Sequence, residues 1–430
     1  MLLNRDRAEQ VMDRHGLDGI VAAFPENIYY LSDYWGPMFL MSRNYTLYAF
    51  LPRDRAKPAA LIIPATGVYH LEHIPTWMPN VATYATWLKP DDLPARDYEF
   101  STEMLVEPGV DPERPPAHLA PRLMPYPLRE GVPMEGRDAQ LLERYAMHAR
   151  GVQQTATKAL AGAIAAAGLS AGRLGFDDPR LLGWLGELGM EELSGVDALN
   201  VFKEIRMVKS PAEIELLREA AQRGEKALDA TIAQMHVGMP LDEIATIHAV
   251  ECAKLGCRSE WIIANIRGLA TGVIEPNELI KLDAVASWKQ YRGDVGRSVY
   301  FGEPDEEIMR RTRAVTAALG VSYSEIRPGR SFDEITRLTL KAVEEGGFPG
   351  FVIAAPHSVG LEHTDHPVSV GAQEPGAYPP VFEENMVFTL DMPYHEFGWG
   401  TIHVEDMMRV TATGCEPLSS TDTALRVRPV

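Results

Sequence analysis

The chain has 430 residues, of which 46% are hydrophobic and 23% are charged. This is the balance of a folded globular protein, and the length suggests two domains. Its 60 acidic residues outnumber its 41 basic residues, which gives a formal net charge of −19. Such an excess repels polyanions, so we expect neither nucleic acid nor an anionic membrane surface to be a partner.

Cysteine usage and the amino terminus indicate the compartment. The three cysteines, Cys252, Cys257 and Cys415, are too few for a disulfide framework. The first ten residues, MLLNRDRAEQ, lead into no long apolar run, so the sequence predicts no secretory signal. No segment reaches the ~18 uninterrupted apolar residues of a membrane-spanning helix. We therefore expect a cytoplasmic protein.

Residues 1–200 alternate between strand-like and helix-like segments, which predicts an α/β domain. The candidate strands are short apolar runs bounded by turn residues, at 20–24, 45–52, 58–65 and 172–178. The candidate helices lie at 5–15 and 135–168, with a turn predicted at 25–27 and irregular structure over the proline-rich stretch 88–135.

A second domain is predicted over residues 201–430. It begins with a helix-start pattern in which Ser210 is the N-cap, Pro211 the first helical residue and Glu213 the capping carboxylate. A second helix is predicted from Leu241. Most of the remainder is strand-like, interrupted by a pair of helices at 306–326 and 331–347. This pattern predicts an α+β domain in which helices surround a curved antiparallel sheet.

Acidic residues interrupt the apolar strands of this second domain, where an ordinary core would exclude them. They are Asp283, Asp294, Asp391, Glu405 and Asp406. An unpaired buried charge is costly, and several like charges together raise each other's pKa unless a cation lies among them. These strands contain little Lys or Arg besides Arg297. A bound metal ion is therefore the simplest explanation.

His357, at the end of an apolar run, is the candidate imidazole ligand. Ten residues separate Asp283 from Asp294, a spacing that suits a strand, a tight turn and a returning strand with both carboxylates on one surface. With Asp391 and Glu405 the set offers four carboxylates and one imidazole, enough for two metal ions ~3.5 Å apart with bridging carboxylates. Mn, Fe, Co and Zn all accept such ligands, so the sequence does not distinguish between them.

In this order the residues resemble the metal pattern of the pita-bread-fold family that comprises methionine aminopeptidase, aminopeptidase P, prolidase and creatinase. The segments that carry the resemblance are LDAVASWKQYRGDVGRSVYFGEP, HSVGLEHTDHP, NMVFTLDMPY and HVEDMMRVTATGCEPLS, together with PENIYYLSDYW and IRMVKSPAEIELLREAA. The likeness covers essentially the whole chain. It implies a creatinase-like α/β amino-terminal domain followed by an α+β pita-bread catalytic domain, as in prolidase and creatinase.

The resemblance also implies a role for each ligand. Asp283 would chelate one metal ion, Asp294 and Glu405 would bridge both ions, and His357 and Asp391 would complete the second site. A hydroxide bridging the two ions would attack a substrate carbonyl group. The proton of the metal-bound water would pass to Glu405 or Asp391.

The sequence departs from the family pattern in three places. Asp391 stands where most members have the longer Glu. The substrate-facing histidine normally follows the His ligand by seven residues, but that position is Thr364, between His363 and His366. A one-residue irregularity in the loop would bring His363 into the site. The family usually carries another histidine upstream of the first metal aspartate, but the corresponding stretch WIIANIRGLATGVIEPNELIK has none, and Arg267 is its nearest ionisable candidate. These departures favour a specialised substrate.

Three functions follow as alternatives. The first is a metal-dependent hydrolase of a C–N bond, most simply an Xaa-Pro dipeptidase-like enzyme. The second is an enzyme of the same fold that acts on a non-peptide small molecule, by creatinase-like amidine hydrolysis, ectoine-type ring hydrolysis or sulfonium lysis. The third is a non-catalytic binding module. Retention of all five ligand positions favours a metalloenzyme over the metal-free and non-catalytic alternatives.

An aromatic cluster near the amino terminus contains Tyr29, Tyr30, Tyr34 and Trp35. Packing in the core or at an interface is its simplest role. In the family, this region of one subunit can cover the active site of its partner. The resemblance therefore implies a homodimer.

Overall fold

The computed structural model describes residues 1–41, 46–84, 129, 131–133, 135–149, 152–153, 155–368 and 381–430. The chain divides into two compact units, Met1–Phe202 and Lys203–Val430. The stretch 88–135, predicted to be irregular, lies almost entirely outside the described residues. No helix in the described ranges combines the length and the apolar character needed to cross a bilayer.

The first unit is built on a six-stranded mixed sheet in the order β4-β3-β2-β1-β5-β6. Its strands are β1 (Gly19–Ala22), β2 (Tyr48–Pro52), β3 (Ala60–Pro64), β4 (Asn80–Tyr84), β5 (Arg173–Phe176) and β6 (Ser194–Asp197). Its helices are α1 (Arg5–Arg14), α2 (Pro25–Ser32), α3 (Met38–Met41), α4 (Gly136–Ala149), α5 (Ala156–Ala166) and α6 (Arg180–Glu187), with a 3-10 helix at Ala65–Glu72. Helix α7 (Leu199–Met207) follows at the boundary of the two units. The α/β prediction for this half of the chain is confirmed.

Two local predictions in this unit were wrong. The predicted turn at 25–27 is the first turn of α2, because the fixed φ of Pro25 suits the first helical position as well as a turn. The helix predicted over 135–168 is two helices, and the second begins where the Thr155 side chain caps the backbone N–H of Lys158.

The aromatic cluster contributes to the core of the first unit. Tyr30 and Tyr34 are fully buried. The rings of Tyr29 and Trp35 meet edge to face, with centroids 5.5 Å apart. Packing therefore accounts for these side chains, as expected for a cluster of large aromatic residues.

The second unit combines helices with two largely antiparallel sheets, which confirms the α+β prediction. One sheet has the order β16-β9-β8-β7, and the other has the order β11-β10-β12-β14-β15, with β13 paired to β12. The strands are β7 (Arg258–Ile266), β8 (Leu279–Trp288), β9 (Tyr291–Phe301), β10 (Ala355–Ser358), β11 (Asp365–Val368), β12 (Val387–Glu396), β13 (Gly400–Val404), β14 (Met407–Val410), β15 (Cys415–Pro417) and β16 (Arg426–Arg428). The helices are α8 (Pro211–Gln234), α9 (Leu241–Lys254), α10 (Glu306–Glu325) and α11 (Phe332–Glu345).

Helix α8 begins with the predicted capping box and lies directly on strand β9. The Ser210 hydroxyl accepts a hydrogen bond from the Glu213 backbone N–H at 3.2 Å, and the Glu213 carboxylate accepts one from the Ser210 N–H at 2.7 Å. At Gly293 the strand approaches so closely that a Cβ atom would lie 2.3 Å from the Ala220 carbonyl oxygen. Glycine at this position therefore fixes the distance between helix and sheet.

The two sheets are joined where Gly296 of β9 meets Glu405, just after β13. The backbone N–H of each residue donates to the carbonyl oxygen of the other, at 3.1 Å in both directions. This bridge places the carboxylates of the β8–β9 hairpin next to the carboxylates of the second sheet.

Candidate metal centre

The β8–β9 hairpin presents Asp283 and Asp294 on one face. Trp288 pairs with Tyr291 across a two-residue turn whose residues both have positive φ, which is the type I′ geometry of tight hairpins. Asp283 lies opposite Gly296, two residues beyond Asp294. Because side chains alternate along a strand, this register puts both carboxylates on the same side of the sheet.

The second sheet contributes the other three predicted residues. His357 of β10 lies opposite Thr389 of β12, and Asp391 follows two residues later on the same face of β12. Glu405 comes directly after β13, where its Oε1 accepts a hydrogen bond of 2.9 Å from the Thr389 hydroxyl. All five predicted ligands therefore come from strands or strand ends of this unit.

These side chains form two clusters of possible metal donors among the described residues. The first contains Asp294, His357 and His363, and the second contains Asp283, His403 and Glu405; within each, the donor atoms lie within 4.8 Å of one another. The clusters adjoin, since His357 Nε2 lies 3.8 Å from Asp294 Oδ2 and 3.9 Å from Glu405 Oε1.

His363 points into the first cluster. Its Nε2 lies 2.9 Å from Asp294 Oδ2, and its ring contacts Trp261 edge to face at a centroid distance of 4.6 Å. His363 lies in the loop that joins β10 to β11, two strands whose pairing changes register between His357 and Ser358. Thr364, at the position expected from the family spacing, is exposed.

Three residues that the sequence offered as candidate site residues lie outside both clusters. Asp391 approaches the second cluster only through His403, with Asp391 Oδ1 3.5 Å from His403 Nδ1. His366 belongs to neither cluster of the described residues. The Arg267 side chain is 65% exposed and lies 3.8 Å from a Glu278 oxygen.

Burial and mutual repulsion make the carboxylates reluctant to ionise. Burial, followed by the charges of Asp283 and Asp391, holds the pKa of Asp294 well above its usual range. Burial, followed by the charges of Asp294 and Asp283, likewise holds the pKa of Glu405 well above its usual range. Burial and the nearby Glu405 raise the pKa of Asp391 to about 7. A cation among these groups would reverse all three shifts.

The histidines, in contrast, are kept neutral. Burial, assisted by His363, lowers the pKa of His357 to about 4. Burial also lowers the pKa values of His363 and His403. A neutral imidazole has a free ring nitrogen, which is the form that binds a metal ion.

Several polar atoms at the site are buried without a hydrogen bond from the described residues. They are both carboxylate oxygens of Asp294, Oδ1 of Asp391 and Nδ1 of His403. Buried polar groups are almost always satisfied, so orphaned oxygens and nitrogens facing one another indicate a missing partner. Their donor set of carboxylates and imidazoles fits a divalent transition metal.

The sequence reasoning missed His403 and Lys281, although a simple signal would have found both. Each lies two residues before a predicted ligand, Glu405 and Asp283 respectively, and in extended backbone that spacing favours the same face. The His403 side chain is 0% exposed and lies in the second cluster. Lys281 Nζ lies 3.6 Å from Asp283 Oδ2.

Behind the site, a buried arginine ties the strands together. Arg297 Nη2 contacts Asp406 Oδ1 at 2.7 Å and Glu225 Oε1 at 2.8 Å. Arg297 Nη1 donates to the backbone carbonyl oxygens of Glu405 and Gly296, at 2.8 and 2.9 Å. The guanidinium group thus fixes the strand end that carries Glu405.

The Arg297→Met variant should lose about 3–5 kcal/mol of unfolding free energy, because it leaves the buried Asp406 and Glu225 carboxylates without their cation. Urea denaturation measures the loss. Arg409→Met is the matched control, since Arg409 and its partner Glu416 are both only half-buried. A loss at Arg297 no larger than that at Arg409 would contradict the structural role.

Comparison with known proteins identifies relatives of the chain. Residues 215–412 match the model of metallopeptidase family M24. The Xaa-Pro dipeptidase of Pyrococcus furiosus is 26% identical over 247 residues, which cover 55% of this chain and 69% of the relative. The Xaa-Pro dipeptidase of Pyrococcus horikoshii is 25% identical over 267 residues, which cover 59% and 74%.

Solved structures share the fold over nearly the whole chain. The Xaa-Pro dipeptidase from Bacillus anthracis superposes with a TM-score of 0.67 at 18% identity, covering 99% of both chains. A dipeptidase from Pyrococcus horikoshii gives 0.66 at 16% identity, again with 99% coverage of both. At these identities the structures support the fold alone. The second unit thus contains a metallopeptidase family M24 domain over residues 215–412, and the chain is a metallohydrolase with the two-domain pita-bread fold of these structures.

Proposed function

We propose that this metallohydrolase cleaves Xaa-Pro dipeptides, using two divalent metal ions held at the candidate metal centre. The observation that carries the proposal is the convergence of carboxylates and neutral imidazoles from four strands around buried, unpartnered oxygen atoms. The names of the curated relatives, Xaa-Pro dipeptidases, support the substrate class.

The residues that would hold the metal follow from the two clusters. We propose Asp283, Asp294, His357 and Glu405 as ligands, with Asp294 and Glu405 bridging; the sequence also predicted Asp391, which is considered below. Divalent ions bound there would polarise a substrate carbonyl group and lower the pKa of a water molecule. Mn, Fe, Co and Zn are all compatible with these donors.

Two side chains would handle protons. Glu405, whose pKa is raised by burial and by Asp294, is suited to accept a proton at its carboxylate and hold it. Asp391, with a pKa of about 7, is the second candidate acceptor.

His363 is 28% exposed on its side chain, whereas His357 is 10% exposed and His403 is 0% exposed. His363 is therefore best placed among the three to donate a hydrogen bond to a substrate oxygen.

The proposal is tested by assaying metal-depleted and metal-reconstituted protein against Xaa-Pro dipeptides such as Ala-Pro, with Ala-Ala as the comparison substrate. We expect cleavage of Ala-Pro that chelator abolishes and added Mn²⁺ or Co²⁺ restores. His357→Ala should remain inactive after reconstitution, because it removes a ligand.

Metal binding without turnover of any dipeptide would contradict the dipeptidase proposal. That result would favour the second alternative, an enzyme of the same fold acting on a non-peptide small molecule. The observation behind this alternative is the upstream segment of the domain, where Arg267 stands in place of a family histidine and is largely exposed. A screen of cyclic amides and amidines would then identify the substrate class.

The Lys281→Met variant should bind divalent metal about tenfold more tightly, since the Lys281 ammonium group lies 3.6 Å from Asp283 Oδ2 and repels a cation there. Methionine retains the aliphatic stem. Calorimetric titration with Mn²⁺ measures the change, and Lys341→Met, at an exposed lysine, is the control. Weaker binding by Lys281→Met would instead show that this lysine orients Asp283.

Metal affinity should fall steeply as the pH drops below about 7. The carboxylates bind protons in competition with the metal, because burial raises the pKa of Asp391 to about 7 and holds the pKa values of Asp294 and Glu405 well above their usual range. For each proton that the metal ion displaces, the metal affinity changes about tenfold per pH unit. Calorimetric titration in buffers of different ionisation enthalpy measures how many protons are released when the metal binds. A metal affinity that stays unchanged down to about pH 6 would contradict the raised pKa values of the carboxylates.

The quaternary structure and location remain predictions from the sequence. We propose a homodimer, as the family resemblance implies, and light scattering of the purified protein tests it. The cytoplasmic location and the absence of nucleic-acid and membrane partners likewise rest on the sequence composition.

A further inference from the structure

His403 is, like Asp294, a completely buried polar side chain of the metal centre. It is 0% exposed, and its two ring nitrogens face two different carboxylates. Nε2 lies 2.9 Å from Glu405 Oε2, and Nδ1 lies 3.5 Å from Asp391 Oδ1. The backbone is also held: the His403 N–H donates to the Ser298 hydroxyl at 2.8 Å, and that hydroxyl donates to the His403 carbonyl oxygen at 3.1 Å.

Room for this ring is provided by the absence of a side chain on the facing strand. A Cβ atom at Gly296 would lie 1.9 Å from His403 Cδ2 and 2.1 Å from Nε2. The ring therefore rests directly on the backbone of β9, two residues from Asp294, and its Nε2 is fixed on the side of the sheet that carries the metal ligands.

The distances place His403, and not Asp391, among the donors. The donor atoms of Asp283, His403 and Glu405 all lie within 4.8 Å of one another, whereas Asp391 joins neither cluster of the described residues. Ligands that share one ion at about 2.0–2.2 Å lie no more than ~4.4 Å apart, so a small contraction closes this triplet around a cation.

We propose that His403 supplies the ligand that Glu supplies in most family members, through Nε2, and that Asp391 orients the His403 ring from its Nδ1 side. An aspartate at position 391 is one methylene shorter than glutamate, and the imidazole ring spans the distance that this removes. His403 Nδ1 and Asp391 Oδ1 lie 3.5 Å apart and neither atom has a hydrogen-bond partner among the described residues, so this carboxylate is placed to orient the N–H of a metal-binding histidine.

This assignment changes the chemistry of the site. A neutral His403 with its proton on Nδ1 would direct that N–H toward Asp391 and leave the Nε2 lone pair 2.9 Å from Glu405 Oε2, where a cation would take the place of the proton between the two atoms. Replacing an oxygen donor by nitrogen favours borderline ions such as Co²⁺ and Zn²⁺ over Mn²⁺. The inference rests on the proposed metal centre and not on the peptide substrate.

The test is a titration of metal-depleted protein with Co²⁺, followed by calorimetry and by the visible absorption of the bound ion, without substrate. His403→Ala should lose one bound Co²⁺ per chain, together with its absorption band. Asp391→Asn should keep the wild-type number of ions and bind the affected one about 10–100-fold more weakly, since it loses only the carboxylate that orients the ring. His357→Ala should lose the other ion.

Other outcomes separate the assignments. Full Co²⁺ content in His403→Ala, together with loss of an ion in Asp391→Asn, would overturn the His403 assignment and restore Asp391 as the ligand. Wild-type protein that binds no Co²⁺ would overturn the metal centre itself. His403→Gln retains side-chain volume and is used if circular dichroism shows that His403→Ala does not fold. Failure to cleave dipeptides would leave the His403 assignment intact, because no substrate enters the measurement.

Discussion

The Asp294→Asn variant should bind no metal and lose hydrolytic activity, yet its metal-free form should be more stable than the metal-free wild type by about 1–3 kcal/mol at about pH 8. Asp294 is completely buried, and neither carboxylate oxygen accepts a hydrogen bond from the described residues. Asparagine keeps the shape but removes the charge, so it relieves the repulsion from the neighbouring carboxylates and also removes the carboxylate that is proposed to serve both metal ions.

The stability gain of the metal-free Asp294→Asn variant should increase with pH. The folded metal-free protein holds the Asp294 proton more tightly than the unfolded chain does, because burial and neighbouring acids raise the Asp294 pKa. Wild-type stability therefore falls as the pH rises above about 4, the usual aspartate pKa, until Asp294 ionises in the folded protein. The Asn variant lacks this contribution, so its advantage should vanish near about pH 4 and grow at higher pH.

Denaturant unfolding of chelator-treated protein at several pH values measures the stability, and elemental analysis measures the metal. Asp333→Asn, at an exposed aspartate in the first turn of α11, is the control and should change neither quantity. Wild-type metal content in Asp294→Asn would contradict the central place of Asp294 in the site.

The Gly296→Ala variant should lose metal from the cluster of Asp283, His403 and Glu405, and should be destabilised by about 1–3 kcal/mol. The added methyl group would lie 1.9 Å from His403 Cδ2 and 2.8 Å from Glu405 Cβ, so both side chains must move. The neighbouring bridge between the Gly296 and Glu405 backbones leaves the strands little room to separate.

A double variant distinguishes a local clash from general damage. Gly296→Ala combined with His403→Ala should recover most of the stability, since the ring is gone, but should not recover the metal. Gly224→Ala in α8 is the matched control: its Cβ would lie 3.4 Å from Ala286 Cβ, an ordinary contact, and alanine favours the helix. Equal stability loss in the single and double variants would contradict the proposed contact between residues 296 and 403.

Local chemistry made much of the second domain predictable. The capping box of Ser210 and Glu213 specified the start of α8 through hydrogen bonds between residues three apart, which need no distant partner. The spacing of Asp283 and Asp294 predicted a hairpin because strand alternation and turn length are local rules. The turn predicted at Pro25 was wrong for the same reason, since proline suits both a turn and a helix start, and packing of the following residues decides between them.

The sequence by itself determined the two-domain α/β and α+β organisation and the carboxylates that mark a candidate metal centre, because these depend on periodicity and spacing along the chain, whereas the family followed from the resemblance of its motifs. Only the tertiary structure decided which histidines reach that centre. His363 enters from the loop between β10 and β11, and His403 enters because Gly296, more than a hundred residues earlier, leaves room for its ring. Such contacts depend on how separate strands pair, and strand pairing is a property of the folded chain.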